Sequence, residues 1–386
     1  MGHSLRVIAA VIGIGLILPT GANAPDFTVV AANPATTSMF AAPNTFPLTT
    51  DPQHPGTPTL SLFRRPLVNT NVNFDSSVLW DGRENISNMP LQVSHAIQTL
   101  LLGTGTNPTV NSSIANFMTG VFTDQKSSDV AGELTAVKAT GGVGNLSALA
   151  ISAGRPCVFD EDTPPDLTPF VAAVATTSTC EPVVVGGVNK GGPPTFTLFD
   201  SWASLPDNPG NAGRLSVARG QAVFNEHICV FCHTVPNLGN NALAVDSAVF
   251  DKSGFKNIGT DSLVTLNNVK ASAPTPAEAQ LVQDMIDRVS QLPLYCLQPV
   301  GDATPCMTDP NHTLTTDPGR ALVTGKQSDS GFFKPPILRD LAVRKPYFHA
   351  GAAPDLEHVV NYKNLRFNIG LTAQKKADLI NFLNAL

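Results

Sequence analysis

The feature that most constrains this chain is the pentapeptide at residues 229–233, Cys-Val-Phe-Cys-His, which occurs once in 386 residues. Two cysteines separated by two residues and followed at once by a histidine have the spacing that attaches a c-type haem. The thiols of Cys229 and Cys232 would bond to the haem vinyl groups, and the imidazole of His233 would bind the iron from the proximal side. The pentapeptide therefore predicts one covalent haem.

Two other kinds of site contain a Cys-x-x-Cys pair. A zinc site needs four ligands, and the chain has no second pair of this spacing to complete it. A thioredoxin-like redox pair needs no histidine after the second cysteine. Haem attachment is the interpretation that uses all three residues, and zinc is the main alternative.

The N-terminus has the pattern of a secretory signal peptide. A positive charge at Arg6 precedes an apolar run over residues 7–18, and small residues favour cleavage after Ala24, with Ala22 and Ala32 as alternatives. This run is shorter than the ~20 apolar residues that cross a membrane, and no later stretch reaches that length. We expect a periplasmic or secreted protein with no membrane span.

The four cysteines outside the haem motif suit an oxidising compartment, in which thiols form disulfides. Pairing Cys157 with Cys180 and Cys296 with Cys306 closes the shortest loops. Four cysteines allow three pairings, so this choice is a preference for short loops. Four buried free thiols are the alternative.

The composition indicates an irregular, mildly acidic protein. A net charge of −6 argues against a nucleic-acid partner. Thirty-two prolines and 30 glycines, with only 14% charged residues, predict much irregular chain around a limited number of helices. The length allows two domains.

The predicted organisation is a signal peptide over 1–24, an extended surface arm over 25–62 and two domains over 63–210 and 211–386. In the first domain, apolar periodicity predicts helices over 91–102 and 109–122.

In the second domain, a helix over 215–224 leads to the haem cysteines, and a helix capped by Thr372 ends the chain. The corresponding two helices cross and pack together in class I cytochromes c.

Three segments in the C-terminal half stand out, namely Phe333-Lys-Pro-Pro-Ile-Leu-Arg339, Pro346-Tyr-Phe-His-Ala-Gly351 and Leu356-Glu-His-Val-Val360. These segments resemble the bacterial dihaem cytochrome c peroxidase and MauG superfamily, with a thinner match at Arg65-Pro-Leu67 and Trp80-Asp-Gly-Arg83. The resemblance implies a mainly α protein of two cytochrome-c-like helical domains with long irregular loops.

The chain departs from that family in its N-terminal half. The family carries a first Cys-x-x-Cys-His, with the haem where peroxide reacts, before the Trp-Asp-Gly-Arg segment, whereas no cysteine precedes Trp80 here. The active-site glutamine of the family falls near His95, and its glutamate falls near Gly105. The resemblance therefore implies an N-terminal domain without a covalent haem.

The resemblance also implies roles for residues around the remaining haem. Arg339 matches an arginine near a haem propionate, and Trp80 matches a tryptophan beside the haem, although a plain core aromatic is the alternative. The sixth iron ligand would be Lys363 or Tyr362, and Lys363 would have to lose its proton, which needs partial desolvation.

Lesser candidates for the sixth ligand are His349, His358 and Met307, for which a structural role is preferred. Asn71 matches a calcium ligand whose partners are carbonyls near Pro335 and Ile337, so calcium is a further expectation. His54 and His312 are expected to be surface histidines.

The function implied is electron transfer by an exported c-type cytochrome, with a small redox protein as electron donor or acceptor. The first alternative is a peroxidase-type oxidoreductase that reduces hydrogen peroxide, or a MauG-like oxidation. The second is a binding or structural module with a vestigial haem. The oligomeric state is left open.

Overall fold

The computed structural model describes residues 26–31, 42–43, 59–60, 62–72, 77–85, 89–100, 103, 107–121, 123–142, 184–185, 188–189, 197–226, 229, 233, 255–302, 304, 309 and 312–386. Several predictions concern residues outside these ranges, namely the signal peptide, the three cysteines Cys157, Cys180 and Cys306, and Cys232, Met307, His54 and Gly105.

The described part of the chain is mainly α-helical, as predicted. Its α-helices are α1 Met89–Leu100, α2 Pro108–Gly120, α3 Ala212–Glu226, α4 Leu263–Ala271, α5 Pro276–Val289, α6 Ala321–Thr324, α7 Leu356–Arg366 and α8 Ala373–Leu383. Short 3-10 turns lie at Ala136–Lys138, Asp200–Ser204, Gln327–Asp329 and Leu341–Val343. No helix in the described ranges combines the length and hydropathy needed to cross a membrane.

The strands are short and mostly form two-stranded ribbons. They are β1 Phe27–Ala31, β2 Ala42–Pro43, β3 Thr59–Leu60, β4 Ser77–Val78, β5 Glu84–Asn85, β6 Ser127–Ser128, β7 Gly132–Glu133, β8 Val184–Val185, β9 Val188–Asn189, β10 Lys256–Asn257, β11 Tyr295–Pro299, β12 Thr313–Thr315 and β13 Phe332–Phe333. One sheet has three strands, in the order β1-β11-β12, all antiparallel.

The expectation of a surface arm over 25–62 is wrong at its beginning. β1 pairs with β11, and the side chains of Phe27 and Val29 are fully buried against Tyr295 and Leu297. Burial of these two apolar side chains favours a strand that is anchored in the C-terminal half. Cys296, in β11, is disulfide-bonded, and its partner lies outside the described residues.

Helices α1 and α2 form where the apolar periodicity predicts them. Asn107 caps α2, its side-chain oxygen accepting from the backbone N–H groups of Thr109 and Val110, and Pro108 occupies the first turn. A small core forms between the helices and neighbouring segments from Val72, Val78, Met89, Val93 and Ala115.

Helices α3 and α8 pack closely against each other, as predicted for the helices before and after the haem motif. Thr372 caps α8 by accepting from the N–H of Lys375. A Cβ atom on Gly220 of α3 would lie 2.0 Å from the carbonyl oxygen of Asp378 in α8, so only glycine allows this approach. The crossing fixes the end of α3 that leads to Cys229.

A buried ion-pair cluster joins the two halves of the chain. The guanidinium of Arg64 donates to both carboxylate oxygens of Asp317, at 2.6 and 2.7 Å, and to Asp81 at 2.6 Å. Arg83 also pairs with Asp81, and Arg320 donates to the Asp81 carbonyl at 2.7 Å. We call these five residues the clamp; they fasten the segment over 62–85 to the loops that follow β12.

Candidate functional site

The described haem-motif residues lie just beyond the C-terminus of α3. Cys229 and His233 are both half-buried, and the backbone N–H of His233 donates to the carbonyl of Cys229 at 3.0 Å. This bond places the thiol-bearing and imidazole-bearing residues on one helical turn. Cys232 lies outside the described residues.

His233 lines a cavity of about 110 Å³. The cavity brings together residues from both halves of the chain, and its wall includes Arg65, Trp80, His233, Lys256, Ile258, Thr260, Phe333, Lys334, Pro335, Ile337, Leu341, Arg344, Phe348, His349, Leu356 and Lys363. We call it the C-terminal cavity. It unites Trp80, His233 and Lys363, which the sequence analysis selected separately.

Trp80 is a wall of this cavity and is held in place from both ends. Its indole N–H donates to the carbonyl of Arg65 at 2.6 Å, and its backbone carbonyl accepts from Lys334 at 2.7 Å. Its ring meets the ring of His349 edge-on, with centroids 6.4 Å apart. The indole is thus fixed beside the cavity with its only polar atom satisfied.

His349 presents a neutral imidazole to the cavity. The ring stacks on Phe333 with centroids 4.1 Å apart, and Nδ1 lies 3.4 Å from the hydroxyl of Thr260. Burial lowers the pKa of His349 to about 4. Its Nε2 is buried without a hydrogen-bond partner in the described part of the chain, so it is available to a bound group.

The two predicted sixth ligands lie differently. Lys363 lines the cavity, with its Nζ 5.9 Å from the ring centroid of Phe348 and 5.1 Å from that of Phe367. The hydroxyl of Tyr362 instead donates to the carbonyl of Ile258 at 2.5 Å. Burial raises the pKa of this phenol well above its ordinary value, and its ring is part of the hydrophobic core.

Cationic side chains surround the cavity, but Arg339 is not among those on its wall. The wall carries Arg65, Lys256, Lys334 and Arg344, whereas Arg339 forms a buried ion pair with Asp124 at 2.9 Å. Burial lowers the pKa of Arg65.

Arg344 lines the cavity, although no sequence motif predicts a role for it. This arginine donates to the carbonyls of Ile337 and Arg339, at 2.6 and 3.0 Å, and therefore lies next to Arg339, the predicted propionate partner. In the sequence, Arg344 could have been selected because it lies two residues before the Pro346-Tyr-Phe-His349 segment.

The remaining predicted histidines have structural partners. His358 contacts the carboxylates of Asp355 and Asp284, at 2.7 and 3.3 Å. His312 is buried with Nε2 3.0 Å from Asp302, so the expectation of a surface histidine is wrong. The contact with Asp302 holds the imidazole inside.

Both polar atoms of the Asn71 amide contact the backbone of Thr123, and the calcium site stays a prediction. Asn71 is buried, its amide oxygen accepts from the backbone N–H of Thr123 at 2.9 Å, and its amide nitrogen donates to the Thr123 carbonyl at 2.6 Å. Both ends of the amide therefore serve to hold two loops together.

The residue types around the C-terminal cavity suit a c-type haem, although the space of about 110 Å³ is smaller than the macrocycle. A thiol and an imidazole stand on one turn, apolar side chains and an indole form walls, and cationic side chains suited to carboxylates lie in the wall. The unpartnered Nε2 of His349 is a polar atom that a bound group would satisfy.

The sequence matches no family model. A segment of 78 residues is 33% identical to cytochrome c551 peroxidase of Nitrosomonas europaea, and it covers 20% of this chain. The match spans 23% of the length of that relative. This partial similarity supports a cytochrome c peroxidase-like haem protein at the level of the superfamily.

Proposed function

We propose that this protein is an exported c-type cytochrome that carries one covalent haem and exchanges electrons with a small redox protein. The observation that carries the proposal is the C-terminal cavity, which His233, Trp80 and Lys363 all line. The partial similarity to a cytochrome c551 peroxidase supports haem c as the cofactor. The haem would supply a one-electron redox centre.

The chain's own residues have separate tasks in this proposal. Cys229 and Cys232 anchor the group, and His233 ligates its iron. Arg65 and Arg344 are the propionate partners that replace Arg339, because they line the cavity while Arg339 is paired with Asp124.

A haem count tests the cofactor. We expect a pyridine haemochrome assay and intact mass to agree on one haem per chain. Replacing Cys229 and Cys232 together with Ala should abolish the covalent haem on a denaturing gel, whereas Cys296→Ala should retain it. Two haems per chain, or haem stain retained by the double variant, would contradict the proposal.

Lys363 is the sixth ligand that the geometry favours over Tyr362. Its amine lies beside the cavity, 5.9 and 5.1 Å from the ring centroids of Phe348 and Phe367, whereas the Tyr362 hydroxyl is held by the Ile258 carbonyl. Lys363→Ala should change the resting absorption and EPR spectra. Lys375→Ala on α8, whose amine lies 3.6 Å from Glu226 in solvent, is the matched control and should leave them unchanged.

His349 is the competing ligand, because its Nε2 is buried and has no hydrogen-bond partner among described atoms. If Lys363→Ala leaves both spectra unchanged and His349→Ala alters them, the imidazole holds the sixth position and the lysine assignment is wrong.

Export and the disulfides belong to the same proposal. Pairs between Cys157 and Cys180 and between Cys296 and Cys306 suit a periplasmic or secreted chain with the leader described above. Peptide mapping without reduction should find these two pairs after removal of residues 1–24. Crossed pairs or free thiols would reject the pairing.

Peroxide reduction is the second candidate, and the name of the partial relative favours it. Cleaving the peroxide bond needs a group that moves a proton near the iron, and the neutral imidazole of His349 is the candidate in this cavity. Lys363 at the sixth position would oppose access of peroxide. We expect turnover with a reduced cytochrome well below about 10 per second, the median for enzymes; a higher rate would favour the peroxidase.

A further inference from the structure

A second and larger cavity, of about 350 Å³, lies in the N-terminal half. We call it the N-terminal cavity. It is enclosed by α1, α2 and the segments around β4, and its lining is Pro66, Leu67, Val68, Asn69, Val72, Val78, Leu79, Glu84, Gln92, Val93, His95, Ala96, Ile97, Ile114, Met118, Lys334, Ile337 and Arg344. It shares Lys334, Ile337 and Arg344 with the C-terminal cavity.

Most of this wall is apolar. Leu67, Val72, Val93, Ile97 and Met118 present aliphatic or thioether side chains to the space. This apolar part of the wall disfavours a charged group placed against it. An engineered apolar cavity of ~150 Å³ holds benzene, so about 350 Å³ suits one or two fused rings. Ligand pockets begin at roughly this size, about 300 Å³.

One end of the cavity is polar. Gln92 and His95 lie three residues apart on α1 and so share a face of that helix. The imidazole Nδ1 of His95 lies 2.7 Å from the carboxylate of Glu84. The side-chain oxygen of Gln92 is buried and has no hydrogen-bond partner among the described residues.

An unsatisfied buried acceptor costs about 1–3 kcal/mol, which a ligand that donates a hydrogen bond would recover. A hydroxyl group does this while remaining neutral. A carboxylate ligand could pair with Lys334 or Arg344 in the wall, but it could not donate to Gln92 and would leave that oxygen unsatisfied.

We infer that the N-terminal cavity binds a neutral aromatic alcohol of one or two rings. Its ring lies among the aliphatic side chains, and its hydroxyl donates to the Gln92 side-chain oxygen. No cysteine precedes Cys157 in the chain, so the ligand is held reversibly. The inference stands apart from the haem proposal, because its binding atoms belong to α1, α2 and their neighbouring segments.

The test compares 2-naphthol with naphthalene, which differ by the hydroxyl alone. Each is titrated into the full-length mature protein by its own fluorescence. We expect one saturable site and roughly two- to tenfold tighter binding of 2-naphthol, because one hydrogen bond contributes roughly 0.5–1.5 kcal/mol net. In Gln92→Leu the two affinities should become equal while naphthalene binding persists.

A second variant tests the location. Ala96→Phe places a ring in the cavity and should abolish binding of both probes, whereas Gln98→Leu, at an exposed position of the same helix, should leave both unchanged. Thermal unfolding of each variant shows whether it is folded. The Gln92→Leu comparison remains decisive if Ala96→Phe fails to fold.

Three results would overturn the inference. The first is the absence of saturable binding of either probe. The second is equal affinity of the wild-type protein for 2-naphthol and naphthalene, which would remove the role of Gln92. The third is displacement of bound 2-naphthol by free haemin in wild-type protein and in Gln92→Leu alike, which would mark the space as a porphyrin site.

Discussion

The two cavities lie on either side of one wall but in regions with very different cores. In the described part of the chain, the core that supports the C-terminal cavity contains 30 buried apolar residues, whereas the core beside the N-terminal cavity contains five. The cavity volumes run in the opposite order, at about 110 and about 350 Å³.

The difference follows from where the apolar side chains point. In α2, Phe117 is 72% exposed and Ile114 is 36% exposed, although both recur at helical spacing. In α3 and α8, Phe224 and Phe382 are buried with their ring centroids 5.4 Å apart. A region that turns its aromatic side chain outward leaves its interior unfilled, and it depends more on its attachment to the rest of the chain.

The largest expected effect is at the clamp, on which that attachment depends. Arg64→Leu leaves Asp81 and Asp317 buried with less compensation, and removing one partner of a buried ion pair costs about 3–5 kcal/mol of unfolding free energy. Arg219→Leu is the control, because Arg219 is half-exposed and the buried carboxylate of Asp378 keeps hydrogen bonds from Ser216 and Gln374, so we expect a cost of about 1 kcal/mol or less.

Urea unfolding of both variants measures this comparison. If Arg64→Leu costs no more than Arg219→Leu, the clamp does not hold the N-terminal region and the contrast between the two regions loses its explanation.

The next effect concerns two buried carboxyl groups with opposite environments. Burial would raise the pKa of Asp81, but Arg83 and Arg64 outweigh it and hold the pKa well below its ordinary value. Burial raises the pKa of Asp261 to about 6, and its hydrogen bond from the Thr315 hydroxyl compensates only in part.

Asp261 therefore binds a proton more tightly in the folded state than in the unfolded state. Its contribution to the free energy of unfolding is fully present below the unfolded-state pKa of 3.8. This contribution is lost as the pH rises through the folded-state pKa of about 6. A shift of about two pKa units corresponds to roughly 3 kcal/mol. The wild type should lose this stability as the pH rises from 4 to 7, and Asp261→Asn should not. The variant should therefore become more stable relative to wild type, by roughly 3 kcal/mol, over that range.

Denaturant unfolding at several pH values measures this difference. A wild-type to variant difference that is independent of pH would show that Asp261 does not ionise at a raised pKa. For Asp81 the sign is reversed, since its ion pairs stabilise the fold at neutral pH and are lost as the pH falls below about 4.

The smallest pair of effects compares one glycine in each region. Gly220→Ala forces α3 away from the Asp378 carbonyl and should cost about 1–3 kcal/mol. Gly120→Ala in α2 meets no atom within 4 Å and should stabilise by about 0.4–1 kcal/mol, because alanine restricts the unfolded chain. Thermal unfolding distinguishes them, and equal signs would contradict the picture of a close helix crossing in one region only.

Local sequence signals determined the helices and the anchoring motif. The apolar periodicity that predicts helices over 91–102 and 109–122, the cap at Thr372 and the spacing of Cys229 and His233 act over a few residues, so they can be read without knowing the fold. These signals place α1, α2, α3 and α8 to within a few residues of their positions in the structure.

Tertiary structure decided the partners that lie far apart in the chain. Pairing of β1 with β11 buries Phe27, and Arg339 forms an ion pair with Asp124. In both cases the two partners lie more than 200 residues apart in the chain. Tyr362 and Lys363 are successive residues of α7, so their side chains leave the helix in different directions. The phenol of Tyr362 reaches the Ile258 carbonyl, whereas Lys363 lines the cavity.

The two cavities also depend on tertiary structure. Each is bounded by residues from α-helices and loops that periodicity can predict one by one, but the space left between them depends on how completely those elements fill the interior. The spacing of the cysteines and the histidine therefore predicts a haem-anchoring motif from the sequence alone. Only the packing of distant segments decided which side chains line the cavity beside His233 and that a second cavity shares Ile337 with it.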